Sequence, residues 1–288
     1  MFLAPAAYPA ECQPGLLGTG GALGTRALGT GRTIAVGAPG GLHAGLKSYA
    51  QTIALRDKEV VLTFDDGPLP ATTVAVLNAL KKECVKATFF LIGRNAKANP
   101  QLVRRQIAEG HTVGHHSWSH PHITLRGLSG DAAVKDIIRG IAAVEQVAYG
   151  SKYTGGVPRV PFFRFPGFAD TAKTKEWLDP RGIAVFGTDL WASDWTPMAP
   201  KNELGLILRR LDKKRRGIIL FHDTQRATAA MLPAFLRALK AKGYTIVHLV
   251  PGAVKPAMEQ AGPGWRSETE ATLARIMPRV PRGRSTKN

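Results

Sequence analysis

Four short segments, far apart in the sequence, carry side chains that together could perform metal-dependent hydrolysis. They are TFDDGP at residues 63–68, HSWSH at 116–120, RFPG at 164–167 and LFHD at 220–223. Each follows an apolar, β-branched or aromatic run that is typical of a strand, so each is predicted to lie where a strand ends. Catalytic groups of α/β barrels collect at the C-terminal ends of strands. The order and the positions of the four segments therefore predict one shared site.

Two adjacent carboxylates, Asp65 and Asp66, close the first of these strands. Successive side chains of a strand point in different directions, so the two acids can perform different tasks. One can hold a metal while the other moves protons. The alternative is a plain turn, because Asp-Asp-Gly-Pro is favourable turn chemistry. Gly67 and Pro68 explain the turn, but a turn does not require two acids.

The second segment places His116 and His120 four residues apart. If a helical turn begins after the preceding strand, both imidazoles lie on one face. Two histidines and an aspartate from another strand end would then form a facial ligand set with open positions for water and substrate. Packing alone explains many such isolated pairs. No catalytic role is predicted for the neighbouring His111, His115 and His122.

An alternation of strand and helix patterns surrounds these segments. The candidate strands cover residues 60–64, 87–91, 112–115, 162–165, 183–187, 217–221 and 245–250. The candidate helices cover residues 72–82, 100–109, 131–148, 201–214 and 228–240. Crossover helices between strands indicate a parallel sheet. We predict an α/β fold: a distorted, incomplete (β/α) barrel of about seven parallel strands.

The two ends of the chain differ from this central part in composition and in periodicity. Residues 1–55 are rich in glycine and lack a clear period, which predicts an irregular arm with a short edge strand at residues 34–36. Residues 56–254 are predicted to form the catalytic domain. Residues 255–288 are predicted to be a basic tail, mobile from residue 275 onward.

The chain is strongly basic, with 39 Lys and Arg against 21 Asp and Glu and a net charge of +18. This charge favours an anionic surface such as a cell-wall polymer, although it can also serve solubility alone. No zinc-finger, RNA-stacking or heptad pattern accompanies it, so nucleic acid is not expected as a partner. No apolar run is long enough to predict a transmembrane helix. Residues 1–5 lack the features of a signal peptide.

The four segments, with the Asp194-Trp195 pair between the third and the fourth, resemble the motifs of the polysaccharide deacetylases of carbohydrate esterase family 4. The motifs occur in the same order as in that family. That family includes the nodulation protein B chitooligosaccharide deacetylases. The resemblance covers about residues 56–250. One position departs from the family pattern, because Gly167 stands where an aromatic residue usually follows the proline of the third motif, and Phe168 comes one residue later.

The resemblance implies a metal centre and an acid–base pair. Asp66, His116 and His120 would bind one divalent metal, most often zinc or cobalt in this family. Asp65 would be the general base that takes a proton from the attacking water. His222 would be the general acid that protonates the leaving amine.

The resemblance also implies supporting residues. Arg164 would orient Asp65, and Asp194 would orient His222. Apart from the resemblance, Asp189, five residues before Asp194, is a second candidate contributor to the same loop and ranks below Asp194. The substrate pocket would be lined by Trp195, Leu220, Pro166 and Gly167. Trp195 and Leu220 would receive the acetyl methyl group.

These assignments imply an N-deacetylase, a hydrolase acting on carbon–nitrogen bonds other than peptide bonds. Its substrate would contain N-acetylglucosamine, as in a chitooligosaccharide or in bacterial peptidoglycan. Two alternatives stay open: an esterase that removes O-acetyl groups, as from xylan, and a cell-wall-binding module without catalysis. The resemblance implies an extracytoplasmic or periplasmic location, whereas the missing signal-peptide pattern leaves a cytoplasmic location open.

Overall fold

A computed structural model describes residues 27–122 and 124–276 of the chain. The strands are β1 Thr30–Val36, β2 Leu42–Ala44, β3 Gln51–Ile53, β4 Glu59–Asp65, β5 Thr88–Leu91, β6 Thr112–His115, β7 Phe162–Phe163, β8 Ala184–Phe186, β9 Leu190–Trp191, β10 Gly217–His222, β11 Thr245–Pro251 and β12 Met258–Gln260. The helices are α1 Pro70–Lys82, α2 Gly93–Ala98, α3 Pro100–Ala108, α4 Gly130–Tyr149, α5 Ala172–Leu178, α6 Pro200–Lys214, α7 Arg226–Ala241 and α8 Glu268–Ile276.

Ten of the strands form one sheet in which every pairing is parallel. From β4 the order continues through β5, β6, β7, β8 and β2 in one direction and through β11 and β1 in the other. In addition, β10 pairs with β4, and β9 pairs with β10. β8 and β9 follow each other in the chain but pair with different strands, so the curved sheet stays open between them. The predicted fold class, a distorted and incomplete (β/α) barrel, is confirmed, and all seven predicted strands are present.

The described part of the N-terminal region is more regular than the predicted arm. β1 pairs with β11, β2 pairs with β8, and β3 forms an antiparallel pair with β12. The edge strand predicted at residues 34–36 is the second half of β1. β2 and β3 have three residues each, which is too short for a periodic pattern to be recognised. Residues 27–55 thus belong to the same folded body as the barrel.

Some predictions for the chain ends concern residues outside the described range. Residues 255–276 contain β12 and α8, so that part of the predicted tail has regular structure. Residues 1–26 and 277–288 lie outside the described residues. None of the helices in the described ranges combines the length and apolar composition that a bilayer span requires.

The barrel core holds the strand ends in place. All seven residues of β4 are buried, and Phe64 stacks on Phe89 at 5.1 Å and on Phe221 at 5.6 Å. Strands of a parallel sheet covered by helices are buried on both faces, which explains the continuous apolar runs in the sequence. The polar groups that follow these strands are therefore attached to a closely packed support.

Candidate active site

The C-terminal ends of four strands of the parallel sheet bring the predicted site residues together. Asp65 at the end of β4 is in register with His222 at the end of β10. His116 follows β6 directly, and Arg164 follows β7 directly. β4 is joined to β6 through β5, and β6 pairs with β7 at His115 and Phe163. The sheet alone thus places four of the predicted residues along one edge.

Asp66, His116 and His120 form a group that can hold a metal ion. The Oδ1 atom of Asp66 lies 3.5 Å from Nε2 of His116 and 3.5 Å from Nε2 of His120. One ligand atom from each residue falls within 4.8 Å of the others. Ligand atoms at about 2.0–2.1 Å from a tetrahedral zinc ion lie about 3.4 Å apart. The spacing of the three groups therefore fits a divalent metal.

The hydrogen bonds of this group leave its ligand atoms available. Nδ1 of His116 is 2.7 Å from the carbonyl oxygen of Arg164, so Nδ1–H donates and Nε2 keeps its lone pair. Oδ1 of Asp66 is buried and has no hydrogen-bond donor among the described residues. The backbone carbonyl of Asp66 accepts a 2.7 Å hydrogen bond from Asn95. A buried carboxylate oxygen without a donor is expected where a cation binds.

The ionisation of the group also suits metal binding. Burial alone would raise the pKa of Asp66, but the surrounding imidazoles of His116, His222 and His120 lower it below the usual value. Burial lowers the pKa of His120, and the neighbouring His116 lowers it further. Metals bind carboxylate and neutral imidazole. Both residues are thus in their ligating forms near neutral pH.

A bend, rather than the helical turn considered from the sequence, brings the two histidines together. The backbone is left-handed at Ser117, with φ 63°, and at His120, with φ 44°. Asp136 of α4 holds the bend, because its carboxylate accepts from the backbone N–H groups of Trp118 and Ser119 and from the Ser119 hydroxyl. The four-residue spacing in the sequence indicated that His116 and His120 act together, but their geometry depends on Asp136, which is distant in the sequence.

Asp65 is held by an arginine with no exposed surface. Nη1 of Arg164 donates to Oδ1 of Asp65 and to the hydroxyl of Thr63, both at 2.8 Å. The same guanidinium donates to the carbonyl oxygens of Phe186 and Gly187. Four acceptors thus fix a fully buried side chain. The second oxygen of Asp65, Oδ2, lies 3.9 Å from Nε2 of His116 and faces the metal group.

His222 also borders that group, from the end of β10. Its Nδ1 lies 2.8 Å from Oδ1 of Asp194, and its backbone N–H donates to Oδ2 of Asp194 at 2.6 Å. Burial alone would lower the pKa of His222, but the Asp194 carboxylate raises it to about 10. Nε2 of His222 lies 3.9 Å from Oδ2 of Asp66. The Asp194 carboxylate therefore favours the protonated form of His222, whose Nε2 faces the metal group.

The weaker candidate, Asp189, lies in a different environment. Its carboxylate accepts from the backbone N–H groups of Leu46 and Ile218 and from the Thr52 hydroxyl. These bonds tie the N-terminal segment to β10. The structure thus pairs His222 with Asp194 and gives Asp189 structural hydrogen bonds.

Aromatic side chains border the site next to His222. The Trp195 ring is 48% exposed and stands edge-on to His222, with 6.1 Å between ring centroids. Trp191 lies 5.5 Å from Trp195 and 6.3 Å from Phe168. Phe168 thus contributes an aromatic ring beside the position where Gly167 departs from the family pattern. Sequence reasoning missed Trp191, because β9 has only two residues and no recognisable strand pattern.

The remaining predicted pocket residues lie on β10 and in the turn that follows β7. Leu220 is two residues before His222 on β10, so its buried side chain shares the face of the strand that carries His222. Pro166 is buried in the short 3-10 turn Pro166–Phe168, where Gly167 has φ 59°. The left-handed backbone at Gly167 favours glycine.

Comparison with known proteins places the chain in a family. A family described as polysaccharide deacetylase matches residues 52–183. The chain is 32% identical over 67% of its length to a peptidoglycan-N-acetylglucosamine deacetylase of Listeria monocytogenes, but it spans only 38% of that protein. It is 30% identical over 68% of its length to a chitooligosaccharide deacetylase of Azorhizobium caulinodans and spans 95% of it.

A solved structure agrees with these sequence matches. The peptidoglycan deacetylase Bd3279 of Bdellovibrio bacteriovorus has a TM-score of 0.66 and 33% sequence identity. The similarity covers 77% of this chain and 59% of the Bdellovibrio chain.

Proposed function

Because this chain belongs to the polysaccharide deacetylase family, we propose that it hydrolyses N-acetyl groups of N-acetylglucosamine units in peptidoglycan or a chitooligosaccharide, releasing acetate. The observation that carries the proposal is the convergence of a metal-ligand group with a carboxylate held by Arg164 and a histidine paired with Asp194. Amide hydrolysis needs these groups: a base for water, an acid for the amine and stabilisation of the developing oxyanion.

We assign Asp66, His116 and His120 as the metal ligands, with zinc or cobalt as the ion. A divalent metal in such a site polarises the acetyl carbonyl and makes water a better nucleophile. Asp65 takes the proton of the attacking water through its free oxygen, while Arg164 holds the other oxygen. This contact fixes the direction from which the base acts.

His222 completes the reaction by giving its Nε2 proton to the leaving amine. The amine is a poor leaving group without that proton, so the histidine must be charged when the carbon–nitrogen bond breaks. Asp194 stabilises the imidazolium and orients its ring through Nδ1. Placing base and acid on different sides of the scissile bond allows each to keep its own protonation state.

The acetyl pocket is assigned to Trp195 and Leu220, with Pro166 and Gly167 on the groove wall. Leu220 is buried on the strand that carries His222, and the Trp195 ring stands edge-on to His222. An apolar surface of this kind suits the methyl of an acetyl group. The exposed Trp195 side chain is accessible to a sugar of the bound substrate.

Acetate release from three substrates tests this function. We expect the metal-loaded protein to release acetate from peptidoglycan or an N-acetylated chitooligosaccharide, and to release much less from acetylated xylan. His222→Ala is the matched inactive control. A reversed preference would favour the O-acetyl esterase alternative. No release from any of the three by a fully metal-loaded protein would favour a wall-binding module without catalysis.

The basic surface gives a separate expectation about the partner. If the net charge of +18 holds the enzyme on an anionic wall polymer, raising the salt concentration should weaken its binding to isolated peptidoglycan. Turnover of a short neutral chitooligosaccharide should stay nearly unchanged, because salt screens exposed charges far more than a compact buried site. Co-sedimentation and acetate release measure the two effects.

Deleting residues 275–288, which carry five basic residues and no acid, should reproduce part of the binding loss. Equal salt sensitivity with both substrates would contradict the wall-binding role. Absence of binding at low salt would also contradict it and leave the charge as a solubility feature.

A further inference from the structure

Two buried polar residues, Thr228 and Glu203, lie behind the Asp194–His222 pair. The Thr228 hydroxyl lies 2.8 Å from Oδ2 of Asp194 and 2.8 Å from Oε1 of Glu203. Glu203 is in the first turn of α6, and Thr228 is in the first turn of α7. Both residues are completely buried. Neither side chain reaches the metal-ligand group directly; both act through Asp194.

The single hydrogen of the Thr228 hydroxyl limits which groups can be donors and which can be acceptors in these two hydrogen bonds. A threonine hydroxyl has one hydrogen to donate and lone pairs to accept, whereas an ionised carboxylate can only accept. Thr228 can therefore donate to one of the two carboxyl groups and must accept from the other. One carboxyl group in the Asp194–Thr228–Glu203 chain must be protonated.

The surroundings identify the protonated group as Glu203. Asp194 already accepts from the backbone N–H and from Nδ1 of His222, which suits a charged carboxylate. Glu203 has Thr228 as its hydrogen-bond partner, and its Oε2 has no partner among the described residues. An isolated buried charge without further donors is strongly unfavourable. Burial, reinforced by the negative charge of Asp194, raises the pKa of Glu203 to about 7.

We propose that Glu203 is a positioning residue that, as a neutral acid, donates to Thr228 and so directs the Thr228 hydroxyl onto Asp194. The hydrogen bonds run from Glu203 to Thr228 to the Asp194 carboxylate, which also accepts from His222. Without the first donor, the Thr228 hydroxyl is free to rotate toward another acceptor, and Asp194 loses a partner. This inference rests on the proposed function, since it assigns a support to the catalytic acid.

Conservative and disruptive variants test the role at pH 6. Glu203→Leu, which fills the space without a donor, and Thr228→Val, which removes the hydroxyl, should each lower kcat about tenfold with KM nearly unchanged. Glu203→Gln and Thr228→Ser keep the donor and the hydroxyl, so both should stay close to the wild type. Wild-type kcat in Glu203→Leu would overturn the positioning role. An equal loss in Glu203→Gln and Glu203→Leu would overturn the donor role.

The pH dependence of kcat distinguishes a hydrogen-bond donor from a side chain that only fills space, because only the donor role depends on the protonation of Glu203. Among the residues that the structure describes, the titratable groups that act on Glu203 are Asp194, from the loop after β9, and His222, from β10. From α7, the Thr228 hydroxyl contacts Glu203. Glu203 is neutral below its pKa of about 7 and charged above it. Above that pH, two carboxylates compete for one hydroxyl hydrogen. We expect the kcat of the wild type to fall as the pH rises above about 7, and we expect the kcat of Glu203→Gln not to show this fall. Identical pH profiles would overturn the proposal.

Infrared spectroscopy tests the protonation state without any turnover. A neutral carboxylic acid has a C=O stretching band that a carboxylate and an amide lack. The wild-type minus Glu203→Gln difference spectrum at pH 6 should show this band, and the band should disappear as the pH rises through about 7. A band seen in a protein that releases no acetate would contradict the proposed function alone. A missing band would overturn the protonated Glu203, whatever the activity.

Discussion

His120→Ala is expected to lose most of the bound divalent metal and nearly all deacetylase activity while the protein stays folded. The variant removes one of three protein ligands, and two ligands hold a divalent ion far more weakly than three. The fold should survive, because the side chain of His120 is partly exposed, at 30%, and Asp136 anchors the bend that carries it. Elemental analysis gives the metal stoichiometry, and circular dichroism gives the folded state.

His122→Ala is the matched control for this variant. His122 is exposed and close in sequence, but it is not part of the metal-ligand group. It should keep both metal and activity. Chelation of the wild type should abolish activity, and zinc or cobalt should restore it. Normal metal content in His120→Ala would show that the ligand assignment is wrong.

Asp65→Asn is expected to keep its metal but to lower turnover by about 10²-fold or more, the usual scale for the loss of a positioned acid–base group. An amide oxygen can still accept the hydrogen bond from Arg164, so the variant should keep the local geometry. It lacks a carboxylate that can take the proton from water. Steady-state acetate release and metal analysis on the same sample measure the two properties.

The neighbouring substitution, Asp66→Asn, provides the comparison. Oδ1 of Asp66 lies 3.5 Å from Nε2 of both His116 and His120, whereas the nearest approach of Asp65 to His116 is 3.9 Å. Asp66→Asn should therefore lose metal where Asp65→Asn keeps it. If the metal content of the two variants were reversed, Asp65 would be the ligand and Asp66 the base.

The strand ends were the most predictable part of the site. Asp65, His116, Arg164 and His222 each follow an apolar run, and the structure has a strand at each of these places. Such a run is readable because a strand buried on both faces requires apolar residues along its whole length. Parallel strands then bring their C-terminal ends to one edge without further information.

Residues held by distant partners were less predictable. The bend between His116 and His120 depends on Asp136 of α4, whose place in the sequence carries no sign of that contact. Asn95 follows β5 and binds the carbonyl of Asp66, so its position after a strand was a usable but weak signal. β2 and β3 escaped prediction because three residues cannot show a period.

The sequence by itself determined which chemical groups stand at which strand ends, since adjacency along the chain fixes that order. It also determined the fold class, because alternating strands and helices have few ways to pack. Only the tertiary structure decided how the acids differ from one another. Asp65 meets a buried guanidinium, Asp66 faces imidazoles, and Glu203 is enclosed with a single hydroxyl. Protonation depends on burial and on nearby charge, and both arise from residues far apart in the sequence.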